Sequence, residues 1–178
     1  MKVSSRFSLC IACIILMLLS CVSCEGSQVW RDDLSVSALS TEILDALPVE
    51  DGWDVVSDDY ISPSAWGEDF ADYLELVSDH RITVSAESDM NVDEIGIFYV
   101  KNAKDANQIK KFVERYLEAN KLRMTPLLES YNQDELPKLD CADVSVCGNY
   151  VLYTILNASD TTTAHSTFEK TLSKGESN

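Results

Sequence analysis

Apolar positions gather first in an uninterrupted run at residues 9–19, with Lys2 and Arg6 ahead of it. A bilayer-spanning helix needs roughly 20 apolar residues, so this run is too short to span. A positive start followed by a short apolar core is the pattern of a secretory signal. After a short polar tether, Val36, Leu39, Ile43, Ala46 and Leu47 fall at helical spacing, with Ser35 as N-cap and Pro48 as the stop. Residues 48–61 read as an acidic loop whose Trp53, Val55, Val56 and Tyr60 are available to dock on a core. Ser62-Pro63 then starts a helix, with Trp66, Phe70, Tyr73, Leu74 and Val77 along one face. Gly67 weakens that helix by about 1 kcal/mol relative to alanine.

Residues 81–87 alternate Ile82, Val84 and Ala86 against Thr83, Ser85 and Glu87, the pattern of a half-buried strand. Residues 88–92 form a turn, and 94–100 read as a central strand. Asp105 with Gln108 three positions on makes an Asp version of the capping box. Ile109, Phe112, Val113, Tyr116 and Leu117 continue it as a helix to about Arg123, and Pro126 and Pro137 bracket an irregular segment. Residues 139–146 and 150–156 flank Cys147-Gly148-Asn149 as a tight β-hairpin. A last helix over 161–173 packs through Ala164, Phe168 and Leu172. This order predicts an α+β fold in a single domain. Two hairpins, each followed by a helix, make a four-stranded, mainly antiparallel sheet with helices on one face, preceded by a helical N-terminal segment.

The predicted organisation is a signal at 1–20, a tether at 21–33, the α+β domain at 34–173 and a tail at 174–178. Leu18-Leu19-Ser20-Cys21 looks like a bacterial lipobox, in which a small residue precedes the cysteine that takes lipid and becomes residue one. Cys24 is a second, poorer match, because Cys21 stands where such a box carries leucine. The alternative is ordinary cleavage near Cys24, which gives a soluble secreted domain. Two or more acyl chains anchor stably where one does not. The expected location is therefore the outer face of the cell membrane.

Charge sharpens this picture. The 178 residues carry a net −16, and cleavage before Cys21 removes Lys2 and Arg6 and no acid, taking it to −18. Such a chain lacks the clustered cations that nucleic-acid backbones require, and anionic headgroups repel it. Membrane contact is expected through the lipid anchor only. Residues 101–123 depart from the rest, with seven cations against three acids. Lys104, Lys111 and Arg115 lie there opposite the apolar stripe and form a candidate docking face for an acidic envelope polymer or protein partner. The alternative is that this face balances the protein's own acids.

Other chemistry is weakly signalled. Asp89, Asn91 and Asp93 alternate like the opening of a calcium loop, but Glu94 stands where the turn needs glycine and Val100 where a glutamate is needed. Asp58, Asp59, Glu68, Asp69, Asp72, Glu75 and Asp79 offer carboxylate pairs for glycosidase-type work, in a chain where acids are frequent everywhere. His80 beside Asp79 lacks a marked nucleophile. Cys141 and Cys147, read as one strand, stand roughly 20 Å apart, beyond the reach of a disulfide, and count as small hydrophobes on one face. Asn157-Ala158-Ser159 fits the glycosylation pattern, which has no bearing in a bacterium. No cofactor or metal is implied. A binding or accessory domain without enzymatic activity is expected to show a shallow surface and no buried perturbed carboxylates. The alternative, an envelope hydrolase, is expected to show a cleft holding two of them.

Asp93-Glu94-Ile95-Gly96-Ile97-Phe98, residues 101–105 leading into a charged helix, Tyr131-Asn132, and Gly148-Asn149-Tyr150-Val151-Leu152 resemble the domain of unknown function 4358 family. The resemblance covers roughly residues 33–172 and departs in an acidic stretch around 50–80. It implies export, lipid anchoring and an α+β fold. The family has no assigned activity, so no catalytic residue follows from it.

Overall fold

The computed structural model describes residues 29–48, 52–56, 60, 62–86 and 90–174. The predicted signal and lipobox, Cys21, Cys24, Asp58, Asp59 and Asp89 lie outside the described residues.

The sheet has five strands where periodicity predicts four. They are β1 (Trp53–Val55), β2 (Val77–Ser85), β3 (Glu94–Val100), β4 (Asp143–Cys147) and β5 (Tyr150–Ile155), in spatial order β1-β2-β3-β5-β4. Every neighbouring pair is antiparallel. The extra strand comes from the predicted acidic loop. Three residues are too short to show a period, and β1 exists through its pairing with β2, Trp53 opposite Ser85. A short edge strand of this kind also blunts the sheet against further pairing.

Helices cover both faces of the sheet, not one. Against one face pack α2 (Pro63–Trp66), α3 (Phe70–Leu74) and the long α4 (Ala106–Tyr131), closing on Phe98, Val100, Val151 and Tyr153. Against the other pack α1 (Val36–Asp45) and α6 (Ala158–Leu172), closing on Ile95, Ile97, Tyr150 and Leu152. The cause is visible in β3 and β5, where almost every position is buried. A strand apolar at consecutive positions needs cover on both sides.

Several boundaries move for local reasons. Ser35 caps α1 as expected, its hydroxyl accepting from Ala38 N–H at 3.1 Å. The helix predicted from Ser62 splits into α2 and α3, because Gly67 has φ +102°, where a right-handed helix cannot continue. Val77 is no longer helical and opens β2 opposite Val100. Asp105 stands at the N-cap position of α4 as expected, but its side chain accepts no helix N–H; it ends a 3₁₀ turn, Ala103–Asp105, in helical backbone and accepts from Asn102 Nδ2 at 3.2 Å. Helix α4 runs past Arg123 and through Pro126 to Tyr131. Proline removes a helical hydrogen bond at a cost of about 3 kcal/mol. Burial of Leu128 beyond it, against Val92, Leu139 and Ile155, opposes that cost.

A short helix, α5 (Leu136–Asp140), occupies the start of the predicted 139–146 strand. Cys141 therefore sits half-buried in the turn after α5, and only Cys147 lies on β4. The two cysteines do not share a strand face. Both are unpaired thiols, and burial pushes that of Cys147 up to about 12. The hairpin forms as predicted around Gly148 at φ +59° and Asn149, whose Nδ2 donates to the Val100 carbonyl at 2.9 Å. Helix α6 begins three residues early, capped by Asn157 Oδ1 accepting from Asp160 N–H at 3.0 Å.

The two ends of the described chain meet at the hairpin end of the sheet. Trp30 pairs with Ser173, and Arg31 N–H donates to the Leu172 carbonyl at 2.8 Å. A Cβ on Gly148 would lie 3.0 Å from that of Trp30.

Candidate functional site

Glu94 opens β3 and points to the α4 face, on the same side of the strand as Phe98. It is 4% exposed, so its carboxyl needs partners inside the protein. Three tyrosine hydroxyls supply them. Tyr60 donates to Oε2 at 2.6 Å, Tyr116 reaches both oxygens at 2.9 and 3.0 Å, and Tyr153 donates to Oε1. Gly96 makes the last bond reachable. It sits opposite Tyr153 in the register, and a Cβ there would lie 1.8 Å from the tyrosine ring. The ring crosses the strand through the space a side chain would fill. Trp66 stacks on Tyr116 with centroids 3.7 Å apart and planes 3° apart, which fixes the second hydroxyl.

Burial pushes the Glu94 carboxyl above the ordinary carboxylate range, against the opposing pull of the three hydroxyls and of Arg123. Burial and the nearby Glu94 push Tyr60, Tyr116 and Tyr153 upward. A cavity of about 110 Å³ adjoins this cluster, lined by Tyr60, Val92, Glu94, Asn120, Arg123 and Met124 among others. Arg123 donates to Asn120 Oδ1 at 2.8 Å at this cavity.

The segment ahead of β3 is clamped to α5. Lys138 Nζ lies 2.8 Å from both Asp93 Oδ1 and Glu135 Oε1, and Glu135 Oε2 accepts the Val92 N–H at 3.0 Å. Burial raises the Asp93 carboxyl, and Lys138 pulls it the other way. Asn91 Oδ1 accepts the Asp93 N–H at 2.6 Å. Asn91 and Asp93 of the calcium-like pattern are thus occupied by the protein itself. Among the described residues no group of three or more His, Cys, Asp or Glu is placed to hold a metal ion.

His165 makes a second polar cluster. Ser145 Oγ is 2.6 Å from Nδ1, Thr154 Oγ1 is 3.1 Å from Nε2, and Asp143 Oδ2 is 3.9 Å from Nδ1. A serine–histidine–aspartate relay needs the hydroxyl and the carboxylate on opposite ring nitrogens. Here both approach Nδ1. Burial lowers the imidazole's pKa, favouring a neutral ring that ties β4 and β5 to α6.

The residues singled out from sequence fall elsewhere. Lys104 lies exposed in the 3₁₀ turn before α4. Lys111 and Arg115 share a groove of about 640 Å³ between α4 and β4, mixed with Glu114, Glu118 and Asp140. Arg115 pairs with Asp69 at 2.9 Å, and its guanidinium lies 5.2 Å from the Tyr73 ring centre. Of the acids at 68–79, Glu68, Asp72, Glu75 and Asp79 are exposed. His80 stacks on Phe98 at 5.9 Å. The carboxyl at the centre of the polar core, Glu94, was signalled only by being an acid at the head of the most apolar stretch of the chain after its N-terminal run.

The family described as Domain of unknown function (DUF4358) matches residues 59–156, more than half of the chain. That span runs from before α2 through β5 and contains Tyr60, Glu94, Tyr116, Asn120, Arg123 and Tyr153, while α1 and α6 fall outside it. No curated protein and no solved structure matches the chain. The chain belongs to the domain of unknown function 4358 family.

Proposed function

We propose that this protein is a lipid-anchored extracytoplasmic lipoprotein whose α+β domain binds a partner or ligand at the cell envelope and performs no chemistry on it. The observation that carries the binding half is the occupation of Glu94. Both carboxyl oxygens accept tyrosine hydroxyls, which leaves no well-placed lone pair to take a proton from water. The anchoring half rests on the lipobox-like Leu18-Leu19-Ser20-Cys21. Trp30 joins the folded body nine positions after Cys21. A chain of that length reaches about 30 Å at most, so the anchor would hold the domain close to the membrane's outer face. Lys104 and Lys111 supply exposed charge for an acidic partner, with Arg115 already engaged by Asp69.

One observation favours the second reading, an envelope hydrolase. Asp93 and Glu94 both line the small cavity, and burial raises both, so the absence of buried perturbed carboxylates expected of a binding domain is not met. Incubating the purified chain with isolated bacterial envelopes separates the two readings. Binding predicts co-sedimentation without release of soluble sugar or peptide. Release that disappears in Glu94→Gln and Asp93→Asn would contradict it and install the hydrolase.

A further inference from the structure

The small cavity beside Glu94 is unbalanced in its hydrogen bonding. Its acceptors are engaged inside the protein by hydrogen bonds or, for Asp93, by an ion pair. The Glu94 oxygens take tyrosine hydroxyls, Asp93 pairs with Lys138, and Asn91 Oδ1 takes the Asp93 N–H. Its donors are not spent. Arg123 is exposed and, among the described residues, makes one hydrogen bond, to Asn120 Oδ1. Guanidinium only donates, so the Asn120 oxygen must face it and the Asn120 NH₂ must face away. Asn120 is 6% exposed, and no described residue accepts from that NH₂. The complement of a guanidinium with no ion-pair partner among the described residues and one amide donor is an anionic acceptor, and a planar carboxylate fits the guanidinium fork best.

We infer that this cavity binds a small carboxylate group, that of a short-chain acid or of a peptide C-terminus, held by Arg123 and Asn120. The inference rests on the reading of the domain as a binder and names its ligand class. A volume of about 110 Å³ equals the share of about three to four waters, which suits a carboxylate with one or two carbons behind it. Val84, Val92 and Met124 provide apolar wall for that stem. The acidity of the rest of the chain does not forbid an anion here. The Glu94 oxygens are taken up by tyrosine hydroxyls and Asp93 is paired with Lys138.

The position also matters. Glu94 pairs with Ile155 at one end of β3, whereas Tyr99 pairs with Tyr150 at the other, beside the hairpin and the meeting chain ends. A strand of this length separates the two ends by roughly 20 Å. The cavity is carried on the pole away from the N-terminal tether, turned outward if Cys21 is anchored.

The test is an NMR titration of the full chain in detergent, following the Asn120 side-chain amide and the Met124 methyl. The probes are sodium acetate, sodium propionate, glycylglycine and glycylglycine amide. A saturable shift with a millimolar or tighter midpoint is expected for the acids, and none for the amide. Arg123→Gln, an exposed change that preserves the core, should weaken binding by about tenfold or more. Asn120→Asp should weaken it as well. A tighter midpoint for glycylglycine than for acetate identifies a peptide terminus, and an equal one identifies a short-chain acid. An absent shift, equal binding of the amide, or an unchanged midpoint in a folded Arg123→Gln would overturn the site. Overturning it while envelope co-sedimentation persists would leave the binding reading standing and move it to another surface.

Discussion

Gly96 is small because Tyr153 lies across it, and Tyr153 lies there to reach Glu94. Gly96→Ala should therefore destabilise by about 1–3 kcal/mol or more, as overpacked cores do. Chemical denaturation measures this, and a neutral result would mean the ring has room to shift. Glu94 gives a pH signature. Its folded pKa stands above the ordinary 4.5. Its contribution to stability is thus fully present below about pH 4.5 and is lost as pH rises through the raised folded value. Glu94→Gln abolishes that loss. Relative to the wild type, the variant should gain stability from about pH 4 to pH 7, measured as denaturation midpoints across that range. A constant difference would show that Glu94 titrates alike in folded and unfolded chains. None of this was legible from spacing. Tyr60, Tyr116 and Tyr153 are brought together by three separate elements. Arg115 looked free on the helical wheel because its partner, Asp69, is 46 positions away.

Elements were legible where local pattern and local packing agree. The Ser35 cap, the apolar β3 stretch, the Ile109–Tyr116 stripe and the Gly148 turn were all visible in sequence and are all present. The helix predicted from Ser62 breaks for a local reason, the backbone of Gly67, but two other errors share a cause, a tertiary contact stronger than the local signal. Strand β1 needs β2 to exist, and the last turns of α4 persist because Leu128 is buried. Pro126 is the cost of that extension. Pro126→Ala should restore the hydrogen bond to the Leu122 carbonyl and stabilise by about 1–2 kcal/mol, less than the full helical penalty because proline also restrains the unfolded chain. A raised thermal midpoint is the expected outcome. A lowered one would show that the proline bend is what seats Leu128 against Val92 and Leu139.

At the scale of the whole molecule, the ends of the described residues and the Glu94 cavity occupy opposite ends of one sheet. If Cys21 carries lipid, this geometry presents the cavity to the outside and keeps the tethered pole by the membrane. An acidic body of net charge −18 after cleavage before Cys21 would stand off anionic headgroups, leaving the acyl chains as the attachment. Whether the chain begins at Cys21 and carries lipid there is read directly by intact-mass analysis of the protein extracted from membranes of a bacterial host. The expected species starts at Cys21, lacks residues 1–20 and bears added acyl mass, and Cys21→Ala is released from the membrane. A species starting after Cys24 without acyl mass, or a Cys21→Ala chain that stays fully with the membrane, would contradict the anchored lipoprotein.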